Sequence, residues 1–334
     1  MPLAVSALQV WLVGAVAVLA AAALWRQRGW LIRAEFSRQR RAAGLQRCTL
    51  EAAGHRWVYA RGTARNPDAP ILVLLHGFTG SKENWYPLAR ALDGHYHLRI
   101  PDLPGWGESE RKPGAAYGFE EQAAHVAAFI ETCDPGHAVI LLGHSMGGGI
   151  AALCAARHPR RIAKLGLLNA AGVRFADNRF GLAVLAGENP FAVFDAASLH
   201  RYLDTVFHLA TAKPWIPWPA ASALIAQRRA DAAFEQDVLQ RIGRDAQALL
   251  PGDEAVHIRQ PTLLVWGRQD AVIDPSAMAL YAARIPQARQ VLLDNCGHMS
   301  LMEHPQAVAA AVDALVADDG AGLSDAPAGT PEWP

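Results

Sequence analysis

An apolar run at residues 138–142 passes directly into Gly143-His144-Ser145-Met146-Gly147, followed by Gly148, Gly149 and a segment of helical spacing. A buried strand, a tight turn and a helix in immediate succession leave the chain few folds. Small residues on both sides of Ser145 let the backbone turn sharply enough to expose the serine hydroxyl between strand and helix. A phosphate-binding glycine loop is the competing reading. No lysine follows, however, and the glycine spacing differs from that of a P-loop. G-x-S-x-G alone is a weak signal, and its position between strand and helix makes it a strong one.

The surrounding chain has the rhythm that such a turn requires. Apolar runs at 71–75, 96–100, 138–142, 162–168, 262–266 and 290–293 read as buried strands. Segments with apolar residues three and four apart, at 85–92, 119–130, 150–157, 277–283 and 305–315, read as the helices between them. This alternation predicts an α/β chain with a mostly parallel sheet and helices on both faces. Residues 173–258 break the rhythm, with no strand, several helical patterns and a cluster of Pro214, Trp215, Pro217, Trp218 and Pro219. They are expected to form a helical lid over the carboxyl edge of the sheet. Its Phe191, Phe194, Leu199, Leu203, Phe207, Trp215 and Trp218 either line an acyl pocket above Ser145 or fill the lid's own small core.

The ends read differently. No residue from Pro2 to Trp25 is charged, and as a helix rising about 1.5 Å per residue such a run can cross a hydrocarbon core of about 30 Å. A cleavable secretory signal competes, with Ala20-Ala21-Ala22 as its cleavage region, but its positive charges would precede the apolar run. Here Arg26, Arg28, Arg33, Arg38, Arg40, Arg41 and Arg47 follow it, opposed by Glu35. The expectation is one transmembrane helix over residues 1–25 and a basic segment over 26–45 that meets lipid headgroups together with Trp25, Trp30 and Phe36. A catalytic domain over 46–316 would then face the cytoplasm from an inner or plasma membrane. Residues 317–334, rich in Ala, Gly, Asp and Pro, are expected to be a disordered tail.

Composition excludes several classes. With 31 Lys and Arg against 31 Asp and Glu, the chain has no net field to attract nucleic acid. Its 51% hydrophobic content excludes disorder throughout. Cys48, Cys133, Cys154 and Cys296 lie far apart, so neither a disulfide scaffold nor a metal site is expected.

A serine hydroxyl needs a base to take its proton. His298, in Asn295-Cys296-Gly297-His298 just past the last strand, would project over the same edge of the sheet as Ser145. His144 adjoins the serine but should point away and pack, and His95, His97 and His304 are weaker candidates. The base in turn needs a carboxylate to fix its tautomer. Asp270, in Gly267-Arg268-Gln269-Asp270 after the strand at 262–266, is the first choice, and Asp274 in the same loop is the fallback. The strand ending at Leu168 is followed by Asn169, not by an acid. Two backbone N–H groups must meet the oxyanion. One is expected from Met146 after the nucleophile, the other from Phe78 in His76-Gly77-Phe78-Thr79-Gly80, and both residues would then border the substrate.

These segments, with Asp102-Leu103-Pro104-Gly105-Trp106-Gly107-Glu108-Ser109, together resemble the α/β-hydrolase superfamily over residues 70 to 310. Within it, the amino-terminal apolar run and the sequence around His298 and Met302-Glu303-His304-Pro305 resemble the membrane-anchored monoacylglycerol lipases. The resemblance implies an α/β-hydrolase fold with a lid and cleavage of monoacylglycerols or similar lipid esters without a cofactor. Hydrolysis of carbon–carbon bonds in ring-cleavage products is the alternative chemistry, and a non-catalytic ligand-binding protein on the same fold is the alternative class.

Overall fold

The computed structural model describes residues 7–318. Eight strands, β1 (Gln46–Ala52), β2 (His55–Gly62), β3 (Ile71–Leu75), β4 (His97–Pro101), β5 (Val139–His144), β6 (Ile162–Leu168), β7 (Thr262–Gly267) and β8 (Arg289–Leu293), form one sheet. Their order is 1-2-4-3-5-6-7-8. From β4 to β8 every pairing is parallel, whereas β2 is antiparallel to both of its neighbours.

The central strands form where sequence leaves no alternative. Leu72, Val73, Leu74 and Leu75 in β3, and Leu141 and Leu142 in β5, are wholly buried, as parallel strands covered on both faces must be. Helices pack in two groups. Phe119–Cys133 lies against Met146–Arg157 in one, and Tyr86–Ala91 against Pro305–Ala317 in the other. Lys164 closes the end of the last helix by donating to the carbonyls of Leu315, Val316 and Asp318 at 3.1, 2.6 and 2.8 Å. A cation there meets carbonyls at the end of the helix and the negative end of its dipole.

Reversal of strand order determines where chemistry can sit. The chain leaves β3 for β4 on one side and continues into β5 on the other, so a crevice opens between the carboxyl ends of β3 and β5. Those ends carry His76-Gly77-Phe78 and Ser145.

Two features differ from expectation. The hairpin of β1 and β2 was not anticipated, because Arg47 and Glu51 interrupt one run, His55, Arg56 and Arg61 the other, and β1 exposes one face at the sheet edge. Its two-residue turn, Ala53 and Gly54 with φ of 50° and 72°, has the positive dihedrals of a tight hairpin. A helix does span Ala7–Arg26, but among the described residues no helix is long and apolar enough to cross a membrane. The expected transmembrane anchor over 1–25 is therefore unsupported, its first six residues lying outside the described ones. Its far end packs on the protein itself, with the Trp25 ring 5.5 Å from that of Trp218. The last helix runs to Ala317, and the expected tail lies from 319 onward outside the described residues.

Candidate active site

Ser145 occupies a backbone conformation that a side chain rarely adopts, φ 55° and ψ −120°, at the junction of β5 and Met146–Arg157. Such strain persists only when the surroundings enforce it. Here the Ser145 N–H donates to Leu168 O at 2.9 Å, and its carbonyl accepts from the N–H groups of Gly148 and Ala171 at 2.9 and 3.0 Å. A Cβ at Gly143 would strike the carbonyl of Gly147, and one at Gly147 would strike the carbonyls of Leu75 and His76. Those two glycines are the condition for the turn to lie so close to β3. Met146 begins the helix, so its N–H is one of the four that no intrahelical carbonyl can accept.

The Gly77–Phe78 peptide lies against the serine, since a Cβ added to Gly77 would come 2.9 Å from Ser145 Cβ. His76 fixes that peptide. Its Nε2 accepts from the Leu103 N–H at 3.0 Å, which leaves the proton on Nδ1 to donate to Gly77 O at 2.8 Å. Because carbonyl and N–H point oppositely across a trans peptide, the grip on Gly77 O turns the Phe78 N–H away from His76. Complete burial lowers the His76 pKa to about 4, keeping the ring neutral as this arrangement requires.

Asp270 and His298, both buried, meet across the loops that follow β7 and β8. His298 Nδ1 lies 2.9 Å from Asp270 Oδ2 and 3.1 Å from Oδ1. The carboxylate is fixed on its other side by the N–H groups of Val272 and Ile273 at 2.8 and 3.0 Å on Oδ1, and by Asn169 Nδ2 at 2.8 Å on Oδ2. With its Nδ1 proton committed to Asp270, His298 has Nε2 as its remaining basic atom. Asp274, the fallback acid, instead accepts from the Ser276 N–H at the start of a helix.

His144 does more than pack. Its Nε2 donates to the carbonyl of His298 at 2.8 Å, and burial, then the proximity of His298, push its pKa well below the ordinary value. It is a neutral strut between the elbow and the histidine loop. Asn169 was likewise missed as a functional residue. It takes a hydrogen bond from Ser300 Oγ at 2.6 Å and gives one to Asp270, linking four buried side chains in a row with His298. Its position directly after β6 was the available signal, dismissed because the residue is not an acid.

Between β6 and β7 the insertion is helical, as expected, with Arg179–Leu185, Ala196–Val206 and Ala220–Gly243 as its longest helices. It lies against the turn after β3. The Phe191 ring is 5.3 Å from Phe78, which also meets Trp106 at 5.3 Å, and Tyr202 Oη is 3.2 Å from Thr79 Oγ1. A buried Arg228, paired with Glu235 at 2.6 Å, fastens Phe191 by donating to its carbonyl at 2.8 Å. Of the residues expected to border substrate, Phe78, Met146 and Phe191 are buried, and the rings of Phe78 and Phe191 meet at this turn. Phe194, Trp215 and Trp218 are not, being 53%, 86% and 73% exposed. Prolines at 214, 217 and 219 flank the two exposed tryptophans.

Comparison with known proteins gives a consistent result. The family described as alpha/beta hydrolase fold matches residues 70–305. The chain is 30% identical over 273 residues to Lipase 1 of Psychrobacter immobilis, covering 80% of this chain and 83% of that one. It is 28% identical over 286 residues to monoacylglycerol lipase abhd6-B of Xenopus laevis, covering 83% of each. Among solved structures, a membrane phospholipase A described as a bacterial virulence factor superposes with a TM-score of 0.83 at 33% identity. That match covers 94% of this chain and 99% of the other.

Proposed function

The chain belongs to the α/β-hydrolase family, and on that premise we propose that it is a serine hydrolase of lipid carboxylic esters, with monoacylglycerols as the leading substrate class. Ser145 Oγ attacks the ester carbonyl as His298 Nε2 takes its proton, and Asp270 holds the Nδ1 proton so that the imidazolium is stabilised in place. The N–H groups of Met146 and Phe78 receive the oxyanion. Collapse of the tetrahedral intermediate expels the alcohol, protonated by His298, and leaves an acyl-enzyme. Water, deprotonated by the same nitrogen, then releases the carboxylic acid.

The observation that carries this reading is the strained serine at an elbow whose neighbouring loops hold a buried His298–Asp270 pair at 2.9 Å. The lipid preference draws support from the lipases and monoacylglycerol lipases among the relatives and from the aromatic cover of Phe78 by Phe191. Contact with a lipid surface belongs to the same proposal. Trp11, Leu12, Val13, Val16 and Leu19 of the first helix and Trp215 of the insertion are exposed, and apolar side chains so displayed seat themselves among acyl chains.

The test is labelling by a fluorophosphonate, then a panel of p-nitrophenyl esters and monoacylglycerols. Wild type should label on Ser145 and turn over both, and Ser145→Ala should do neither beyond the roughly 10³-fold residual rate that an oxyanion hole alone sustains. A folded wild type that neither labels nor turns over any ester would overturn the proposal in favour of a binding role.

A further inference from the structure

Glu303 ends the short helix Ser300–Glu303 and is buried. Its Oε1 accepts from the Gly297 N–H at 3.0 Å, and its Oε2 accepts from the N–H groups of His208 and Leu209 at 2.9 and 2.6 Å. Gly297 immediately precedes His298. His208 and Leu209 belong to the insertion, just past its helix Ala196–Val206. The two segments also meet directly, since the N–H groups of His298 and Met299 donate to Val206 O at 3.1 and 3.2 Å. The histidine loop and one end of the insertion are thus stitched together by backbone groups, three of which converge on one carboxylate. There is little slack, because a Cβ on Gly297 would lie 2.7 Å from His208 N and 3.0 Å from Glu303 Oε1.

We propose that Glu303 is a positioning residue that makes residues 206–209 and the His298 loop one rigid unit, so that the base is correctly presented only while this end of the insertion is seated. The inference rests on His298 being the base. A carboxylate is suited to the task, as it accepts on both oxygens and its charge strengthens every bond to a backbone N–H. It follows that the insertion cannot lift at 206–209 without displacing His298. Any opening that admits substrate must use another part of the insertion.

Glu303→Gln tests this at constant shape. The amide has only one accepting oxygen, so either Gly297 or the 206–209 segment must face an N–H donor instead of an acceptor. With a soluble p-nitrophenyl ester, kcat should fall about 10- to 100-fold, the scale on which small displacements of reacting groups act, while KM stays within about twofold of wild type. Hydrogen exchange at Gly297, His208 and Leu209 should accelerate together. In wild type the same three amides should open at one common rate, which keeps the proposal testable should the variant not fold. An unchanged kcat in folded Glu303→Gln would overturn it, as would exchange at the three amides that differs in rate in wild type. His298→Ala measured in parallel separates the two readings. Full turnover in that variant would sink the assignment of the base, whereas the exchange data report the coupling regardless of chemistry.

Discussion

Asn169 and Asp270, 101 residues apart in sequence, are joined by a 2.8 Å hydrogen bond from the side-chain amide of one to Oδ2 of the other. The same oxygen faces His298 Nδ1, so Asn169 sets the direction in which the acid offers its lone pairs. Asn169→Ala removes that donor from a buried carboxylate, a loss of about 1–3 kcal/mol, and kcat on a soluble ester should drop about tenfold with little change in KM. Asn169→Asp should be worse at neutral pH. Two carboxylates at this distance cannot both stay ionised, and a proton shared between them weakens the partner of His298. Steady-state kinetics of the two variants decide the matter, and equal activity to wild type in both would contradict the role.

Asp270 and Asp274 offer a direct contrast. Asp270→Asn should keep the loop's shape but present the wrong hydrogen-bonding partner to His298, lowering kcat by a factor on the order of 10⁴ as in other triads. Asp274→Asn should cost no more than about tenfold, since the Asp274 carboxylate accepts from the Ser276 N–H at a helix start rather than facing His298. A greater loss in the second variant would reverse the assignment of the acid.

Two neutral histidines make stability depend on pH. Burial lowers His76 to about 4 and sends His144 well below its ordinary range. In the unfolded chain both titrate near 6.5. Between about pH 6.5 and 4 the unfolded state therefore binds more protons than the native one, and stability rises with pH across that window and is lost on acidification. His76 alone contributes a slope on the order of 1 kcal/mol per pH unit. Urea midpoints measured from pH 7 to 4.5 should fall steadily, and less steeply in His76→Gln. A flat profile in wild type would count against buried neutral rings.

Lys82 is a buried cation among acids. Its ammonium lies 2.8 Å from both Asp102 and Glu108 and 2.9 Å from Glu83, while its backbone N–H also donates to Asp102. Burial by itself would lower the Lys82 pKa, but the surrounding carboxylates, Asp102 first, raise it above the ordinary lysine value. Lys82→Met leaves the buried Asp102 carboxyl without its cation, a loss of about 3–5 kcal/mol. The chain around Asp102 is the one whose Leu103 N–H holds His76, so the damage should reach the Gly77–Phe78 peptide. Urea denaturation gives the stability loss, and the rate of fluorophosphonate labelling in the remaining folded protein should fall as well. A variant of unaltered midpoint would show that this cluster is not a structural support.

Much of this architecture is legible in sequence, for a physical reason that also marks where reading stops. Residues 71–75 coincide with β3 because a strand covered on both faces is apolar without interruption, and 162–168 coincide with β6 because Leu165, Leu167 and Leu168 are buried although Lys164 breaks the run. The edge hairpin has no such constraint, and its charged residues conceal it. Ser145, Asp270 and His298 are recognisable as candidates because each follows a strand in a short turn. The groups that fasten them are not. His144 and the carbonyl it holds are separated by 154 residues, and Asn169 and Ser300 by 131, so their partnerships exist only once the sheet has assembled. Exposure of Trp215 and Trp218 was equally hidden, since apolar content does not tell whether a ring faces inward or out.

Those outward rings lead to the last expectation. Trp218 packs against Trp25 at the end of the first helix, so the exposed face of that helix and the exposed segment of the insertion are physically joined. If this joined surface seats on lipid, it holds the protein at esters already concentrated in the bilayer, raising their effective concentration without changing the chemistry. A protein lacking residues 1–25 should then cleave a soluble p-nitrophenyl ester within about twofold of the full chain, because Ser145, Asp270 and His298 all lie outside the deleted segment. On monoacylglycerol embedded in vesicles it should be slower by about tenfold or more. Trp215→Ala should show the same split to a smaller degree, having lost one ring of the surface. Flotation of the three proteins with vesicles supplies the binding counterpart. If the truncated protein matches the full chain on both substrates, the exposed rings serve some other contact, and the lipid surface must be abandoned while the hydrolase itself stands.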